Sequence, residues 1–372
     1  MILSGQNEYG WRGRWIAWRN GVLSSPNFQR FASRFPLTRP IAKRRARALF
    51  DLVAGFTYSQ ILAACIETRL LEVLAEGPSL SAKIAERIGL PEAGTVRLLR
   101  GAAALGLAES LGEGWVLGSD GAALLGNPGI GAMVAHHHLL YADLADPVGL
   151  LKRGGGGGAL SSLWHYAESA GEGDGDAVAA YSALMAASQP LVAQMAIDSY
   201  AFERHRRLLD VGGGEGVFLT AMARRVPALE LGLFDLDSVG ARAQKRLEFE
   251  GLRATVFGGS FLTDRLPSGF DLITLIRVLH DHDDGPAMTL LRAVHAALPV
   301  GGKLFIAEPM AQTPGAERAG DAYFGFYLLA MGSGRPRTPD EIAAMLRTAG
   351  FSTSRLLRTA IPQTVRTIIA TR

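Results

Sequence analysis

The stretch Leu208 to Gly216, LLDVGGGEG, constrains this 372-residue chain more than any other. Leu208, Leu209 and Val211 form the apolar run of a central parallel strand, whose two faces are both buried. Gly212, Gly213, Gly214 and Gly216 follow as a turn, and VFLTAMARRV resumes a helical period. Strand, tight turn and helix in that order open a Rossmann-like unit. Asp235 comes nineteen residues after Gly216, at the end of the second apolar run LELGLFDLD, where a carboxylate can accept hydrogen bonds from both hydroxyls of a ribose. The pair predicts a nucleoside cradle.

The form of the turn selects the nucleoside. A dinucleotide fingerprint, G-x-G-x-x-G, uses its last glycine for close helix packing and turns the helix start toward a pyrophosphate. Here that last position is Val217. Asp210 before the glycines and Glu215 within them suit a ligand with a cationic amino-acid end better than a diphosphate. S-adenosylmethionine fits this pattern and NAD fits it poorly.

The chain is longer than one core usually fills, so two domains are expected. No uninterrupted apolar run reaches the roughly 20 residues that span a bilayer, so no spanning segment is expected. The single cysteine, Cys65, lies in an apolar helical pattern and reads as a small core residue. With no signal peptide evident, a cytoplasmic location is the default.

Charge is unevenly spread. Ten Lys or Arg and no acid lie between Tyr9 and Phe50, leaving 28 basic against 35 acidic residues elsewhere, a balance of −7. Trp11, Trp15 and Trp18 interleave with Arg12, Arg14 and Arg19, and Phe28, Phe31, Phe35 and Lys43, Arg44, Arg45 and Arg47 follow. Such a segment suits an anionic membrane surface. It suits equally an arm packed on a partner subunit. Nucleic acid is disfavoured, because the rest of the chain is acidic.

Residues 1–48 are thus read as an arm, 49–126 as a winged-helix domain, 127–200 as a helical connector and lid, and 201–372 as the nucleoside-binding domain. Within 49–126, SLSAKIAERIGL and PEAGTVRLLRGAAALGL are spaced like a helix-turn-helix, with GWVLGSDGAAL as a wing. The recognition helix would offer DNA only Arg97 and Arg100, so its apolar surface points to another protein chain. His136, His137 and His138 are consecutive and on a helix would point apart, which argues against a shared metal ion. One of them, with Tyr141, is expected to face a substrate.

FDLITLIRVLHDHDD (Phe270 to Asp284) runs an apolar strand into Arg277, His280, Asp281, His282, Asp283 and Asp284. Ligands of open parallel sheets sit at such carboxyl ends. His280 is therefore a candidate general base, with Asp281 able to orient it and His282 expected in solvent. Gly259, Ser260 and Phe261 end another strand, beside an adenine.

These motifs, with GGKLFIAEPM and SGRPRTPDEIAAMLRTAGF, resemble the plant-type and acetylserotonin-type O-methyltransferases, which use S-adenosylmethionine without a metal. The resemblance runs from about Leu49 to the end of the chain. FDLVAGFTYSQIL, HHHLLYADLADPV and DAYFGFYLLAMGSGR bring it nearest the bacterial branch acting on acyclic hydroxycarotenoids of the hydroxyneurosporene and demethylspheroidene type. It implies an α/β fold: a Rossmann-like class I methyltransferase domain behind an all-α winged-helix dimerisation domain, in a homodimer. It further implies that Asp210, Gly212 and Gly214 hold the methionine end, Asp235 the ribose, Gly259, Ser260 and Phe261 the adenine side, and Arg277 a further cofactor contact. His280 would be the base, supported by Asp281 and Glu308. Met185, Tyr323, Phe324 and Tyr327 would line an apolar substrate site. Two departures stand out. Ser260 replaces the Asp of many relatives, and Pro336 stands where plant relatives carry a second glutamate beside the base, which predicts a poorly braced His280. A polyketide or phenolic hydroxyl is the alternative acceptor, and a regulator that senses S-adenosylmethionine is the alternative from another class.

Overall fold

The computed structural model describes residues 10–168 and 189–372 and divides into two compact units, Met1–Gly118 and Ser119–Arg372. Met185 lies outside the described residues.

The first unit is helical with a small sheet. Helices Gly10–Ser24 and Pro26–Arg34 precede a 29-residue helix, Arg39–Glu67, in which Pro40 occupies the first turn. That helix runs through the expected boundary at residue 48, because neither glycine nor proline interrupts it between Ile41 and Ala54. Gly55 follows within the helix, and one glycine alone costs a long helix only about 1 kcal/mol. It also corrects the expectation of no spanning-length segment. An 18-residue window within it has mean hydropathy 1.5 and is only 6% buried, so by length and composition it is apolar enough to cross a bilayer. Scattered polar residues hide this from a search for unbroken runs.

Helices Ser81–Ile88 and Glu92–Ala104 form the helix-turn-helix, with Gly89 at φ 70° ending the first. Strands β1 (Ser79–Leu80), β2 (Ala108–Leu111) and β3 (Gly114–Leu117) form an antiparallel sheet in the order β1-β3-β2. The wing is shorter than the sequence suggests: SDGAALL is the helix Ser119–Leu125, which starts the second unit.

The second unit is built on a seven-stranded sheet: β4 (Arg207–Val211), β5 (Glu230–Asp235), β6 (Ala254–Gly258), β7 (Leu272–Ile276), β8 (Lys303–Glu308), β9 (Thr353–Leu356) and β10 (Arg366–Thr371). Its order is β6-β5-β4-β7-β8-β10-β9, with β10 antiparallel to both neighbours and the other pairs parallel. All five residues of β7 are buried, as a strand covered on both faces requires. Strand order reverses between β4 and β7, which places a crevice at their carboxyl ends.

Candidate functional site

The glycine turn leaves β4 at this crevice. Gly212, Gly214 and Gly216 have φ of 71°, 56° and 76°, in the region where an L side chain is strained. A Cβ on Gly212 would also stand 2.7 Å from Val278 Cγ2, so only glycine lets the turn pass this close to the segment that follows β7. Gly214 N donates to Asp235 Oδ2 at 2.8 Å, which ties the turn to the end of β5. Leu236 N donates to the other oxygen at 2.8 Å. Burial lifts the Asp235 carboxyl above its ordinary range, against these two amides.

Asp210 is 1% exposed. Its Oδ1 accepts from Thr274 Oγ1 at 2.6 Å, while Oδ2 is buried with no hydrogen-bond partner among the described residues. Burial pushes its pKa up to about 7, opposed by the Thr274 hydrogen bond. A buried carboxylate oxygen without a donor leaves a desolvation cost that a cationic ligand group would relieve. This orphaned oxygen and the glycine cradle fit the amino-acid end of S-adenosylmethionine.

At the end of β6, Ser260 Oγ accepts from Leu262 N at 3.3 Å. The carboxylate at this turn is instead Asp264, whose Oδ2 accepts from Ser260 N at 2.8 Å. Sequence reading missed Asp264, although it lies four residues past Ser260 in GGSFLTD. Gly259 has φ 153° and lies beside it. Phe261 meets His282 edge-on, with ring centroids 5.1 Å apart. His282 is therefore half-buried rather than in solvent, and burial pulls its pKa down to about 4.

His280 is 5% exposed on a turn of 3-10 helix, Leu279–Asp281, just past β7. Its Nδ1 hydrogen-bonds Glu308 Oε2, and Asp281 Oδ1 lies 3.1 Å from Nε2. Glu308 is 2% exposed, and its other oxygen accepts from Val278 N at 3.1 Å and Leu279 N at 2.7 Å. Parallel pairing of Ile276 with Ala307 brings Glu308 level with this turn. Burial opposes a charge on His280, yet the carboxylates of Asp281 and Glu308 outweigh burial and the nearby Arg277, so its pKa is raised. His280 is thus flanked by two carboxylates despite Pro336: Asp281, its own chain neighbour, turns back onto the ring. This corrects the expectation of a poorly braced base.

Arg277 directly follows β7 at φ 59°, a strained conformation for a non-glycine residue. Its N donates to Ala307 O at 2.8 Å, and its Nη1 donates to Gln189 Oε1 at 3.3 Å. Tyr323 and Phe324 lie on a π-helical segment, Arg318–Phe324, which precedes the helix Gly325–Met331 that carries Tyr327. Phe324 meets His280 edge-on at 6.0 Å between centroids. The Tyr323 hydroxyl lies 2.7 Å from His137 Nε2 and the Tyr327 hydroxyl 3.2 Å from His136 Nε2, while His138 Nδ1 pairs with Ala135 O. Burial holds the Tyr323 hydroxyl up at about 12 and His136 down at about 4, so both are neutral near pH 7. Asp210, Asp235, His280, Asp281, Glu308, Arg277, Tyr323, Phe324 and Tyr327 all belong to the second unit.

The O-methyltransferase domain model matches residues 141–352, and the O-methyltransferase dimerisation domain model matches residues 50–117. A demethylspheroidene O-methyltransferase of Cereibacter sphaeroides is 44% identical, with 94% of this chain and 93% of that protein covered. One from Rhodobacter capsulatus is 42% identical, with 94% and 86% covered. The acetylserotonin O-methyltransferase of Mus musculus is 30% identical over 85% of this chain and 86% of its own length. Among solved structures, human N-acetylserotonin methyltransferase in complex with SAM shares the fold at TM-score 0.72 and 22% identity, with 88% of this chain and 97% of that chain covered. The mitomycin 7-O-methyltransferase MmcR shares it at TM-score 0.74 and 24% identity, with 89% and 99% covered. By its two domain matches and these full-length relatives, the chain belongs to the S-adenosylmethionine-dependent O-methyltransferases that carry an N-terminal dimerisation domain.

Proposed function

We propose that this enzyme methylates the tertiary 1-hydroxyl of an acyclic hydroxycarotenoid, with His280 as proton acceptor. The observation that carries this reading is the 42 to 44% identity, over 94% of the chain, to relatives named demethylspheroidene O-methyltransferase. S-adenosylmethionine, when bound, supplies an electrophilic sulfonium methyl. Asp210 would hold its amino group, Asp235 its ribose, and Gly259, Ser260 and Phe261, with Asp264, the adenine side, while Arg277 fixes the strand end beneath it.

A tertiary alcohol is far less acidic than imidazolium, whose unperturbed pKa is about 6.5. His280 therefore cannot ionise the hydroxyl beforehand and must take its proton as the methyl transfers. Most of the acceleration then comes from alignment of the oxygen in a dry pocket. Glu308 fixes the Nδ1 side of the ring, and Asp281 must yield Nε2 to the incoming hydroxyl. Tyr323, Phe324 and Tyr327 supply the apolar wall.

Labelled S-adenosylmethionine with a 1-hydroxy acyclic carotenoid in detergent, beside a small phenol, tests the reading. Transfer to the carotenoid is expected, with kcat lowered about 10²- to 10⁴-fold in His280→Ala. Transfer to the phenol alone would sink it.

We further propose that residues 9–50 make peripheral contact with an anionic membrane. Trp11, Trp15 and Trp18 recur at one face of their helix and are 76%, 51% and 66% exposed, and the segment contains no acid. This would bring a cytoplasmic enzyme to a lipid-dissolved substrate. Replacing the three tryptophans by alanine should abolish co-sedimentation with anionic vesicles and leave S-adenosylmethionine affinity unchanged. Unchanged sedimentation would assign the arm to the partner subunit.

A further inference from the structure

The segment from Ser333 to Arg337 closes over the turn that carries His280. Ser333 Oγ donates to Asp281 O at 2.8 Å, and Gly334 N donates to Asp283 Oδ1 at 3.0 Å. Arg337 Nη1 donates to Leu279 O at 2.7 Å, and Nη2 donates to His282 O at 2.8 Å. The same guanidinium holds Asp284 Oδ1 through Nη2 at 2.7 Å and Nε at 3.0 Å. Gly334 has φ 78°, and a Cβ there would stand 2.1 Å from His280 O, so the contact admits no side chain.

Arg337 is itself firmly placed. Its carbonyl accepts from Ala311 N at 3.0 Å. It directly precedes Thr338, which forms a capping box with Glu341 on the helix Pro339–Ala349, and Ile342 and Leu346 of that helix are buried in the core. The arrangement is therefore anchored to the sheet side and to a packed helix at once.

We infer that Arg337 is a positioning residue for His280. Its two carbonyl partners, Leu279 O and His282 O, stand on either side of the base along the chain. Glu308 takes the amides of Val278 and Leu279. The turn is thus held by its N–H groups from β8 and by its carbonyls from Arg337, and the imidazole ring has little freedom to leave Glu308. An ion pair for stability alone is a poor account of this side chain. Arg337 is 2% exposed, but its carboxylate partner, Asp284, has a side chain 61% exposed, and so screened a pair contributes little. What burial secures is the pair of backbone carbonyls. A planar fork of fixed donors can reach two carbonyls and a carboxylate together, which a single ammonium cannot.

Arg337→Lys in the full-length enzyme tests the inference by kinetics, calorimetry and proton NMR of the His280 ring. With the carotenoid acceptor, kcat should fall about 10²-fold, as displacement of a catalytic group by roughly 1 Å does. KM and S-adenosylmethionine affinity should stay within about twofold, because neither Asp210 nor Asp235 touches Arg337. Without any acceptor, the downfield Nδ1 proton of His280 should move upfield or broaden as its bond to Glu308 loosens. An unchanged resonance with unchanged kcat overturns the inference. So does a loss of cofactor affinity in proportion to kcat, which marks a purely structural role. If the lysine variant does not fold, Asp284→Asn, at an exposed position, removes the guanidinium's outer anchor. It should lower kcat by a smaller factor and move the same resonance, and an unmoved resonance overturns the inference there too.

Discussion

Two buried carboxylates, Asp210 at β4 and Glu308 at β8, sit at the same edge of one sheet and are finished to different degrees. Both oxygens of Glu308 are engaged, by two backbone amides and the His280 ring. Asp210 has one oxygen on Thr274 and the other bare. The Glu308 carboxylate is satisfied within the described residues, whereas Asp210 keeps an unmet preference for a donor or a cation. On the proposed roles, pre-organisation is concentrated where a proton would move and unsatisfied polarity where a cation would be captured.

Substitution at each carboxylate should separate the two kinds of site. The largest effect is expected for Glu308→Ala, which orphans the amides of Val278 and Leu279 at a cost of about 1 to 3 kcal/mol each. Both the melting temperature and kcat should drop, kcat by about 10³-fold as the base loses its orientation. Retained kcat would show that Glu308 braces the fold and not the base.

Asp210→Asn should act the other way. Loss of a charged hydrogen bond worth about 1.5 to 3 kcal/mol weakens S-adenosylmethionine binding about 10- to 100-fold. The ligand-free variant should be no less stable than the parent. The sign follows from linkage: a carboxyl raised to about 7 in the folded state binds protons more tightly than in the unfolded chain. Its contribution is present below the unfolded pKa and is lost as pH rises through 7, and asparagine removes that loss. Calorimetry at pH 6 and pH 8 checks both points, since parent affinity should rise across this interval as Asp210 ionises. A pH-independent affinity would remove Asp210 from the amino-group site.

The smallest effect is expected for Asp281→Asn. His280 has a raised pKa between its two carboxylates, and its protonated form cannot accept a proton. The rate should therefore fall as pH drops through that raised value, and removal of the Asp281 charge should move this acid limb to lower pH. An unmoved limb would assign the limb to a group other than His280.

The glycine turn was largely readable in sequence and the surroundings of His280 only in part. That Gly212, Gly214 and Asp235 come together was legible because a buried strand, left-handed glycines and an acid at fixed spacing all act within one strand-turn-helix-strand unit. The place of His280 at the carboxyl end of the sheet was legible because it follows an apolar strand. Its surroundings were misjudged: Pro336 suggested a missing brace, but Asp281 lies at Nε2, and Asp264 stands at the turn where Ser260 had suggested no carboxylate. Side-chain direction in a 3-10 turn and the closure of a four-residue loop follow from packing that no periodicity records.

By itself, then, the sequence determined the Rossmann-like unit, the glycine turn with its paired acid and the basic tryptophan arm, since each depends on local backbone preference or composition, and its motifs determined the family. Tertiary structure alone decided that the second oxygen of Glu308 takes the amides of Val278 and Leu279, that Arg337 spans the carbonyls around His280, and that His137 pairs with Tyr323, 186 residues away. Those contacts are fixed by the order in which strands pair and by which helix ends the sheet brings together, and such through-space relations have no period along a chain.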